Sequence, residues 1–289
     1  MGNGVRQGLT FALFAKLPIV KPSLLEQQSI ADYLDSKCSQ IDFIVEKTRQ
    51  EIEKLKEYRQ SMITEAVTKG LDPDVEMKDS GVEWIGEIPK GWNVVPTKRL
   101  MTIGSGGTPS DNILNWDGNI PWVTPADFDT SQHYLWSGRR CLSQSGYESC
   151  AATIVPGGSL IFSKRAPIGK VVICKQPVSA NQGCLTCVPI TSCNTNFLYY
   201  FMAAATEEYE LRGSGTTFKE ISSSEFGQTL MLVPPVYEQD HIANYLDSKC
   251  SYIASAISTK QNIIDKLQQY KKSLIYECVT GKKEVPYNA

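Results

Sequence analysis

The chain has 289 residues with a formal net charge of −2, and its 42% hydrophobic and 21% charged residues are typical of a globular protein rather than a disordered one. It has no apolar run of the roughly 18 residues that a membrane helix needs and no secretory signal, and nine scattered cysteines favour a reducing cytoplasm. The neutral balance excludes global basicity, so any nucleic-acid site would have to be a local patch.

One long segment of the sequence occurs twice, and both copies predict helices. The heptapeptide YLDSKCS stands at Tyr33–Ser39 and again at Tyr245–Ser251, and matching residues continue on both sides of it. Neither copy has a proline inside it, and glycine appears only near the C-terminal ends, as Gly70 and Gly281. We therefore predict one repeat helix within residues 22–69 and a second within residues 234–289.

Apolar residues alternate four and three apart along both copies, which is the a/d pattern of a coiled coil. Such a narrow apolar face suits a partner helix better than a globular core. The sequence therefore predicts that the two helices pair as an intramolecular antiparallel coiled coil. An intermolecular coiled coil and two surface helices on a globular core are the alternatives. The seam residues are Ile41, Val45, Ile52, Leu55 and Met62 in the first copy and Ile253, Ile257, Ile264, Leu267 and Leu274 in the second.

The residues between the repeats predict a connector and a separate α+β domain. Residues 70–91 show little periodicity, and we interpret them as the connector. Residues 92–233 contain short apolar runs separated by glycine and proline, with strand-like stretches such as Thr153–Val155 and Lys170–Cys174. Asn196–Leu211 has helical apolar spacing and predicts one amphipathic helix. The ten basic and ten acidic residues of this domain leave it neutral.

The sequence gives little support for a catalytic or metal site. Residues 73–78 (PDVEMK) superficially resemble a nuclease signature, but six consecutive connector residues cannot place carboxylates on neighbouring strands around Mg²⁺. No phosphate-binding Gly-x4-Gly-Lys-Ser/Thr loop and no amino-methyltransferase motif are present. Cys184 and Cys187 lack the second ligand pair of a structural zinc site, so we interpret them as buried thiols. The sequence therefore indicates no catalytic residue and no metal site.

Polar and basic loops of the central domain favour a binding role instead. Arginine and lysine contact phosphates or guanine, whereas asparagine and glutamine suit adenine edges in the major groove. Each loop alone is also compatible with an ordinary solvated turn. The candidate DNA-binding residues are Thr108, Ser110, Ser163, Lys164, Arg165, Lys170, Asn181, Gln182, Arg212, Thr216, Thr217 and Lys219.

Six segments resemble the DNA-specificity subunit of type I restriction–modification systems, and they are distributed over most of the chain. They are GSGGTPS (104–110) with NIPWVTPADF (119–128), VPGGSLIFSKRAPIGKVVI (155–173), NQG (181–183), SGTTFKEISSSEFGQTLMLVPPVYEQDHIANYLD (214–247) and the connector GLDPDVEMKDSGVEWIGEIPKGW (70–92). In that family, target recognition domains alternate with repeated helices that pair as a rod. The resemblance thus implies that residues 92–233 form a target recognition domain.

The chain departs from the full-length pattern of this family, which has two recognition domains. Residues 4–20 align with residues 216–232, the end of the recognition domain, so residues 1–21 are interpreted as the tail of an incomplete first domain. A natural half-subunit, a reinitiated product and a silent allele are all compatible with this arrangement. With one recognition domain, we expect self-association and a pseudo-palindromic target.

The resemblance implies a non-catalytic subunit that recognises double-stranded DNA. It would direct methyltransferase subunits and a restriction/translocase subunit to a half-site. S-adenosylmethionine, ATP and Mg²⁺ would be bound by those partner subunits, and this chain would hold no cofactor. The alternative is a truncated assembly or decoy subunit that binds the methyltransferase through its coiled coil and reads no sequence.

Overall fold

The computed structural model describes residues 11–16, 19–128, 133–190, 192–215 and 219–286. The chain divides into two compact units, one formed by residues 1–54 and 256–289 and the other by residues 55–255. Each long helix contributes residues to both units. The helices are α1 (Phe11–Phe14), α2 (Leu24–Lys69), α3 (Gln144–Glu148), α4 (Thr195–Ala204), α5 (Thr206–Arg212), α6 (Ser223–Gln228) and α7 (Val236–Val279).

Short strands dominate the second unit. They are β1 (Met77–Asp79), β2 (Glu87–Pro89), β3 (Asn93–Pro96), β4 (Met101–Ser105), β5 (Trp116–Val123), β6 (Tyr134–Leu135), β7 (Arg140–Leu142), β8 (Leu160–Ser163), β9 (Val171–Cys174), β10 (Ser179–Ala180), β11 (Cys184–Pro189) and β12 (Leu230–Val233). Three short 3-10 helices are found at Thr97–Arg99, Ile113–Asn115 and Pro125–Asp127.

In the first unit, α2 and α7 pair in antiparallel orientation. Lys271 Nζ lies 2.6 Å from Asp42 Oδ2, and Lys260 Nζ lies 2.6 Å from Glu51 Oε2. Partner numbers therefore fall along one helix as they rise along the other. The predicted intramolecular antiparallel coiled coil is confirmed. Two lysines that interrupt the apolar seam of α7 thus meet acidic residues of α2, which reduces the cost of placing charges beside an apolar seam.

The structure places the seam residues at the interior of the two units. In the first unit Ile41, Val45, Ile52, Ile264 and Leu274 belong to one buried cluster, and Ile257 and Leu267 pack against it. In the second unit Met62 and Ile253 are buried and Leu55 is half-buried. Among the described residues, no helix combines the length and the apolar character that a membrane crossing needs.

The core of the second unit is a five-stranded sheet with the order β4-β11-β8-β9-β6. β11 runs antiparallel to both β4 and β8, β8 is antiparallel to β9, and β6 is parallel to β9. Every residue of β8 and β9 is buried, as expected of strands covered on both faces. A three-stranded sheet (β10-β5-β7) and two strand pairs (β1-β2 and β12-β3) complete the strand pairing of the described residues.

Three predictions of local structure need correction. Asn196–Leu211 is not one helix, because Ala205 has φ −83° and ψ 11° and separates α4 from α5. The Thr206 hydroxyl donates to the Ala203 carbonyl at this break and so competes with the helical hydrogen bonds. Thr153–Val155 is not a strand, and only Val155 forms an isolated bridge, to Val178. The connector contains the β1-β2 hairpin, which its lack of periodicity did not predict.

Polar side chains attach α4 to the N-terminal part of α7. Asp247 accepts hydrogen bonds from the Tyr200 hydroxyl at 2.7 Å and from Asn196 Nδ2 at 3.2 Å. Asn194 Nδ2 donates to Asp240 at 2.6 Å, and Asp240 lies about two helical turns before Asp247 on α7. Because neutral donors of α4 and its N-cap orient these carboxylates, they attach α4 to α7 without a fully buried ion pair.

His133 lies beside this network in a poorly solvated position. Its ring stacks near Tyr134, Tyr199 and Tyr200, with the nearest ring centroid at 4.0 Å. Its Nε2 is 3.7 Å from Asp247 Oδ1, beyond hydrogen-bond distance, and has no hydrogen-bond partner. Burial lowers the pKa of His133 below its ordinary value and outweighs the opposite effect of Asp247, while Lys175 adds a smaller lowering. The folded chain therefore favours the neutral imidazole.

We expect the buried seam to stabilise the coiled coil strongly and locally. Leu274→Ala, at a side chain that is 1% exposed, should lower the free energy of unfolding by about 2–5 kcal/mol because it leaves a cavity in the cluster. The neighbouring Ile275, which is 37% exposed, provides the matched control Ile275→Ala. Urea unfolding followed by circular dichroism measures both variants. Equal losses for the two would contradict the seam assignment.

The lowered pKa of His133 predicts a loss of stability on acidification. Between its folded pKa and the unfolded value near 6.5, the unfolded chain binds a proton that the folded chain does not. Stability should therefore fall as the pH drops through about 6.5, by at most about 1.4 kcal/mol per pH unit from this residue. Urea midpoints for His133→Gln should show a weaker pH dependence than the wild type. The control His241→Gln, at the exposed second histidine, should keep the wild-type dependence.

Candidate nucleic-acid interface

Strand register brings three loops of the recognition domain to the same end of the five-stranded sheet. Leu185 of β11 pairs with Ser105, the last residue of β4, and Cys184 pairs with Ser163, the last residue of β8. Because β11 is antiparallel to both neighbours, the loops after β4 and β8 meet the turn before β11. We call these segments the 105–110 loop, the 164–170 loop and the 181–183 turn.

Main-chain hydrogen bonds join the 105–110 loop to the 181–183 turn. Gly107 N donates to the Ala180 carbonyl at 2.9 Å, and Gly106 N donates to the Cys184 carbonyl at 3.2 Å. A Cβ at Gly106 would lie only 2.0 Å from the Asn181 carbonyl oxygen, so this close approach requires glycine. Trp122 Nε1 donates to the Gly107 carbonyl at 2.9 Å and fixes the loop from the core side.

The described residues of a fourth segment, the 213–220 loop (residues 213–215 and 219–220), lie against the 164–170 loop. Ile221 N donates to the Lys164 carbonyl at 3.0 Å, and Lys164 N donates to the Gly183 carbonyl at 3.0 Å. Ser214 and Glu220 exchange both main-chain hydrogen bonds at 2.9 Å. The 164–170 loop is thus bound on one side to the 181–183 turn and on the other to the 213–220 loop. Main-chain hydrogen bonds thus link the described residues of the four segments.

The predicted residues of the 164–170 region divide by exposure. Ser163 is fully buried, and its hydroxyl donates to the Arg165 and Pro167 carbonyls at 2.9 and 3.0 Å. It therefore shapes the loop, and its selection as a DNA-binding candidate needs correction. Lys164 is largely buried, with 14% of its side chain exposed, whereas Arg165 is 44% exposed. Lys170 lines a cavity of about 470 Å³ together with Tyr199 rather than the loop surface.

The 105–110 loop and the 181–183 turn place further candidates at the surface. Thr108, Ser110 and Gln182 are exposed, and Gln182 N lies 3.4 Å from Thr108 Oγ1. Asn181 is half-buried, and its Oδ1 accepts a hydrogen bond from Gly183 N at 2.9 Å, which leaves its Nδ2 as a donor. Ser110 accepts from Asn115 Nδ2 at 3.0 Å. This part of the surface offers side-chain amides and hydroxyls rather than charge.

The remaining candidates flank the 213–220 loop. Arg212 pairs with Glu208 one helical turn away, and Lys219 is exposed. Thr216 and Thr217 lie outside the described residues. The surface therefore combines exposed cations with side-chain amides. Arg212 is one of these cations, and it already forms an ion pair within α5.

Glu220 is a component of this site that the sequence reasoning missed. Its Oε1 lies 2.8 Å from Lys164 Nζ and its Oε2 lies 2.6 Å from Arg165 Nε. Burial raises the pKa of Glu220, but hydrogen bonds and charge from the two cations lower it more, and the pKa falls below its ordinary value. Glu220 is therefore ionised at neutral pH. The partners are 55 residues away in sequence, so no local pattern marks the contact.

The described residues give no support to catalytic or metal chemistry. Cys184 and Cys187 are fully buried on β11, and burial raises the pKa of the Cys184 thiol to about 12. The prediction that they are buried thiols is confirmed. In the connector, Lys78 Nζ donates to the Trp92 carbonyl at 2.7 Å, and Glu76 pairs with Lys90. Within the described part of the chain, no group of three or more His, Cys, Asp or Glu side chains is placed to hold a metal ion.

Two proteins with sequences similar to this chain are named as specificity subunits of type I restriction enzymes. The chain is 34% identical over 181 residues to the type I restriction enzyme MjaIX specificity subunit of Methanocaldococcus jannaschii, covering 61% of this chain and 41% of that protein. It is 26% identical over 275 residues to the putative type I restriction enzyme MjaX specificity subunit of the same organism, covering 93% and 60%. The chain thus spans about half the length of these relatives.

Two solved structures share the fold. A chain of a type I restriction–modification assembly matches with a TM-score of 0.70 at 18% identity, covering 89% of this chain and 60% of that one. The HsdS subunit from Thermoanaerobacter tengcongensis matches with a TM-score of 0.56 at 17% identity, covering 98% and 65%. The family model for the type I restriction modification DNA specificity domain matches residues 89–271, more than half of the chain. The chain therefore belongs to the type I restriction–modification DNA specificity family.

Proposed function

We propose that this chain is the non-catalytic DNA-recognition subunit of a type I restriction–modification complex. The observation that carries the proposal is the convergence of three polar loops at one sheet end, with a fourth bound beside them, in a member of this family. Arg165, Asn181 and Gln182 supply the guanidinium and amide groups that recognise base edges in the major groove. Main-chain hydrogen bonds hold these loops, Gln182 is exposed, and Arg165 and Asn181 each use only part of their hydrogen-bonding capacity in the contacts with Glu220 and Gly183.

The charge distribution supports a division of labour with partner subunits. The recognition domain is neutral overall, and Glu220 already offsets one of the two charges at Lys164 and Arg165. Because non-specific affinity for DNA comes from phosphate contacts, this chain alone should bind DNA weakly. Methyltransferase subunits would supply most phosphate contacts, and a restriction/translocase subunit would join them. In this proposal the partner subunits bind S-adenosylmethionine, ATP and Mg²⁺. The complex is proposed to act in the cytoplasm.

Selection from a pool of random duplexes tests the function. The complex of this chain with its methyltransferase partner is incubated with the pool in increasing salt, and the retained duplexes are sequenced. Enrichment of one motif that persists in salt supports sequence recognition. Uniform binding that collapses with salt would instead support the alternative of an assembly or decoy subunit that reads no sequence. Nanomolar binding of duplex by the isolated chain in physiological salt would contradict the division of labour.

Arg165 provides the sharpest single-residue test of the interface. Arg165→Ala should weaken binding to the enriched duplex by about 1–3 kcal/mol and relax selectivity at one base position, as loss of a base contact does. Arg99→Ala, at an exposed arginine outside the four loops, is the matched control and should leave selectivity unchanged. Binding titrations on the enriched duplex and on single-base variants measure both. Equal weakening on all sequences would indicate a phosphate contact, and no weakening would exclude this loop.

We also propose that the chain self-associates, which would present two recognition domains to a pseudo-palindromic site. Exposed apolar side chains near the N-terminus support this, since Phe11, Phe14, Ile19 and Leu24 are each more than half exposed. Light scattering up to tens of micromolar should show a dimer, and Phe11→Ser with Phe14→Ser should weaken it. Lys16→Ser, in the same segment, is the control. A strictly monomeric wild type would exclude self-association.

A further inference from the structure

One carboxylate controls both cations of the 164–170 loop. Each oxygen of Glu220 has its own partner, with Oε1 on Lys164 and Oε2 on the Nε of Arg165. Its backbone is equally constrained, because Glu220 exchanges two hydrogen bonds with Ser214 and forms a bridge with Arg165. Glu220 thus joins the 213–220 loop, to which it belongs, to the 164–170 loop through both its side chain and its backbone.

The two cations are left in different states by this contact. Lys164 is largely buried and directs its ammonium group to Glu220, whereas Arg165 uses only Nε and remains 44% exposed. The terminal nitrogens of the Arg165 guanidinium carry four further N–H donors, which suit the paired acceptors of guanine. The alkyl part of Arg165 passes close to Gly183, where an added Cβ would lie 3.7 Å from Arg165 Cδ. The side chain of Arg165 therefore passes beside the 181–183 turn before its Nε reaches Glu220.

Glu220 also changes the electrostatics of the surface. At neutral pH Lys164, Arg165 and Glu220 together carry one net positive charge instead of two. Glu220 is 30% exposed, and ion pairs that are accessible to solvent contribute little to folding stability. Lys164 is only 14% exposed, so Glu220 compensates a largely buried charge as well as controlling the charge and orientation of the interface.

We propose that Glu220 is a positioning and specificity-determining residue for DNA recognition. It orients the Arg165 guanidinium towards base edges and cancels the charge of Lys164, so that selective base contacts outweigh attraction to phosphates. This inference rests on the proposed function of the chain. Its physical basis is that phosphate attraction is the same for every sequence, so an uncompensated cation raises affinity for wrong sequences as well as the right one.

Glu220→Gln tests the proposal because it removes the charge while keeping a side chain that accepts hydrogen bonds. Affinity of the methyltransferase complex is measured by titration on the enriched duplex and on a scrambled duplex. The ratio of the two affinities should fall about tenfold, the size expected for loss of one well-oriented base contact. When the salt concentration rises from about 50 to about 200 mM, the variant should lose about 3.5 times more of its affinity for the scrambled duplex than the wild type loses. One extra phosphate contact predicts a difference of this size.

The matched control is Glu225→Gln, which makes the same change in net charge at an exposed acid with no ion pair among the described residues. It should leave both the affinity ratio and the salt dependence at wild-type values. Glu220→Asp keeps the charge and should retain the wild-type salt dependence. The double variant Lys164→Gln with Glu220→Gln restores the net charge and should also return the salt dependence to the wild-type value.

The proposal is overturned if Glu220→Gln keeps the wild-type ratio and salt dependence, or if Glu225→Gln changes them equally. It is also overturned if the double variant binds the scrambled duplex as steeply in salt as Glu220→Gln does. Thermal unfolding of each variant shows whether it is folded. If Glu220→Gln is unstable, the salt dependence of the double variant tests the proposal instead. A wild-type complex that enriches no motif would instead reject the proposed function itself.

Discussion

The antiparallel pairing of β11 with β4 and β8 is the interaction on which the recognition surface depends. These ladders place the ends of β4 and β8 beside the start of β11, so that three segments far apart in sequence meet. β8 is buried throughout and β11 is buried over its first four residues, so a slip in the register of this pair would disrupt close packing on both faces. The core strands thus determine where the loops lie, and the loops themselves contribute little to the core.

Much of the architecture could be predicted because it follows from local periodicity. The repeat and its four-three spacing predict two long helices that pair, and the seam residue Ile264 is 2% exposed in the structure. Short apolar runs likewise predict β8 and β9, since both are bounded by glycine or polar turns. The break at Ala205 was not predicted because the helical spacing of apolar residues continues across it. The backbone at Ala205 nevertheless leaves the helical conformation.

The candidate site was less predictable because burial and partners are properties of the folded chain. Ser163 and Arg165 are two residues apart and both have the chemistry of DNA contacts, yet one is fully buried and the other is exposed. Strand alternation alone does not separate them, since the strand ends between the two. Glu220 was missed for the same reason, as its partners are brought to it by the 213–220 loop and not by sequence proximity.

The way the loops are attached has a consequence for how target preference can evolve. Gly107, Lys164, Ile221 and Gln182 are anchored through main-chain amides, so most side chains on this surface can be exchanged without disturbing the framework below. Lys164, Arg165 and Glu220 are the exception, since their side chains bind one another. Related chains with new target preferences should therefore vary at exposed side chains such as Gln182, but exchange these three residues as a coordinated set.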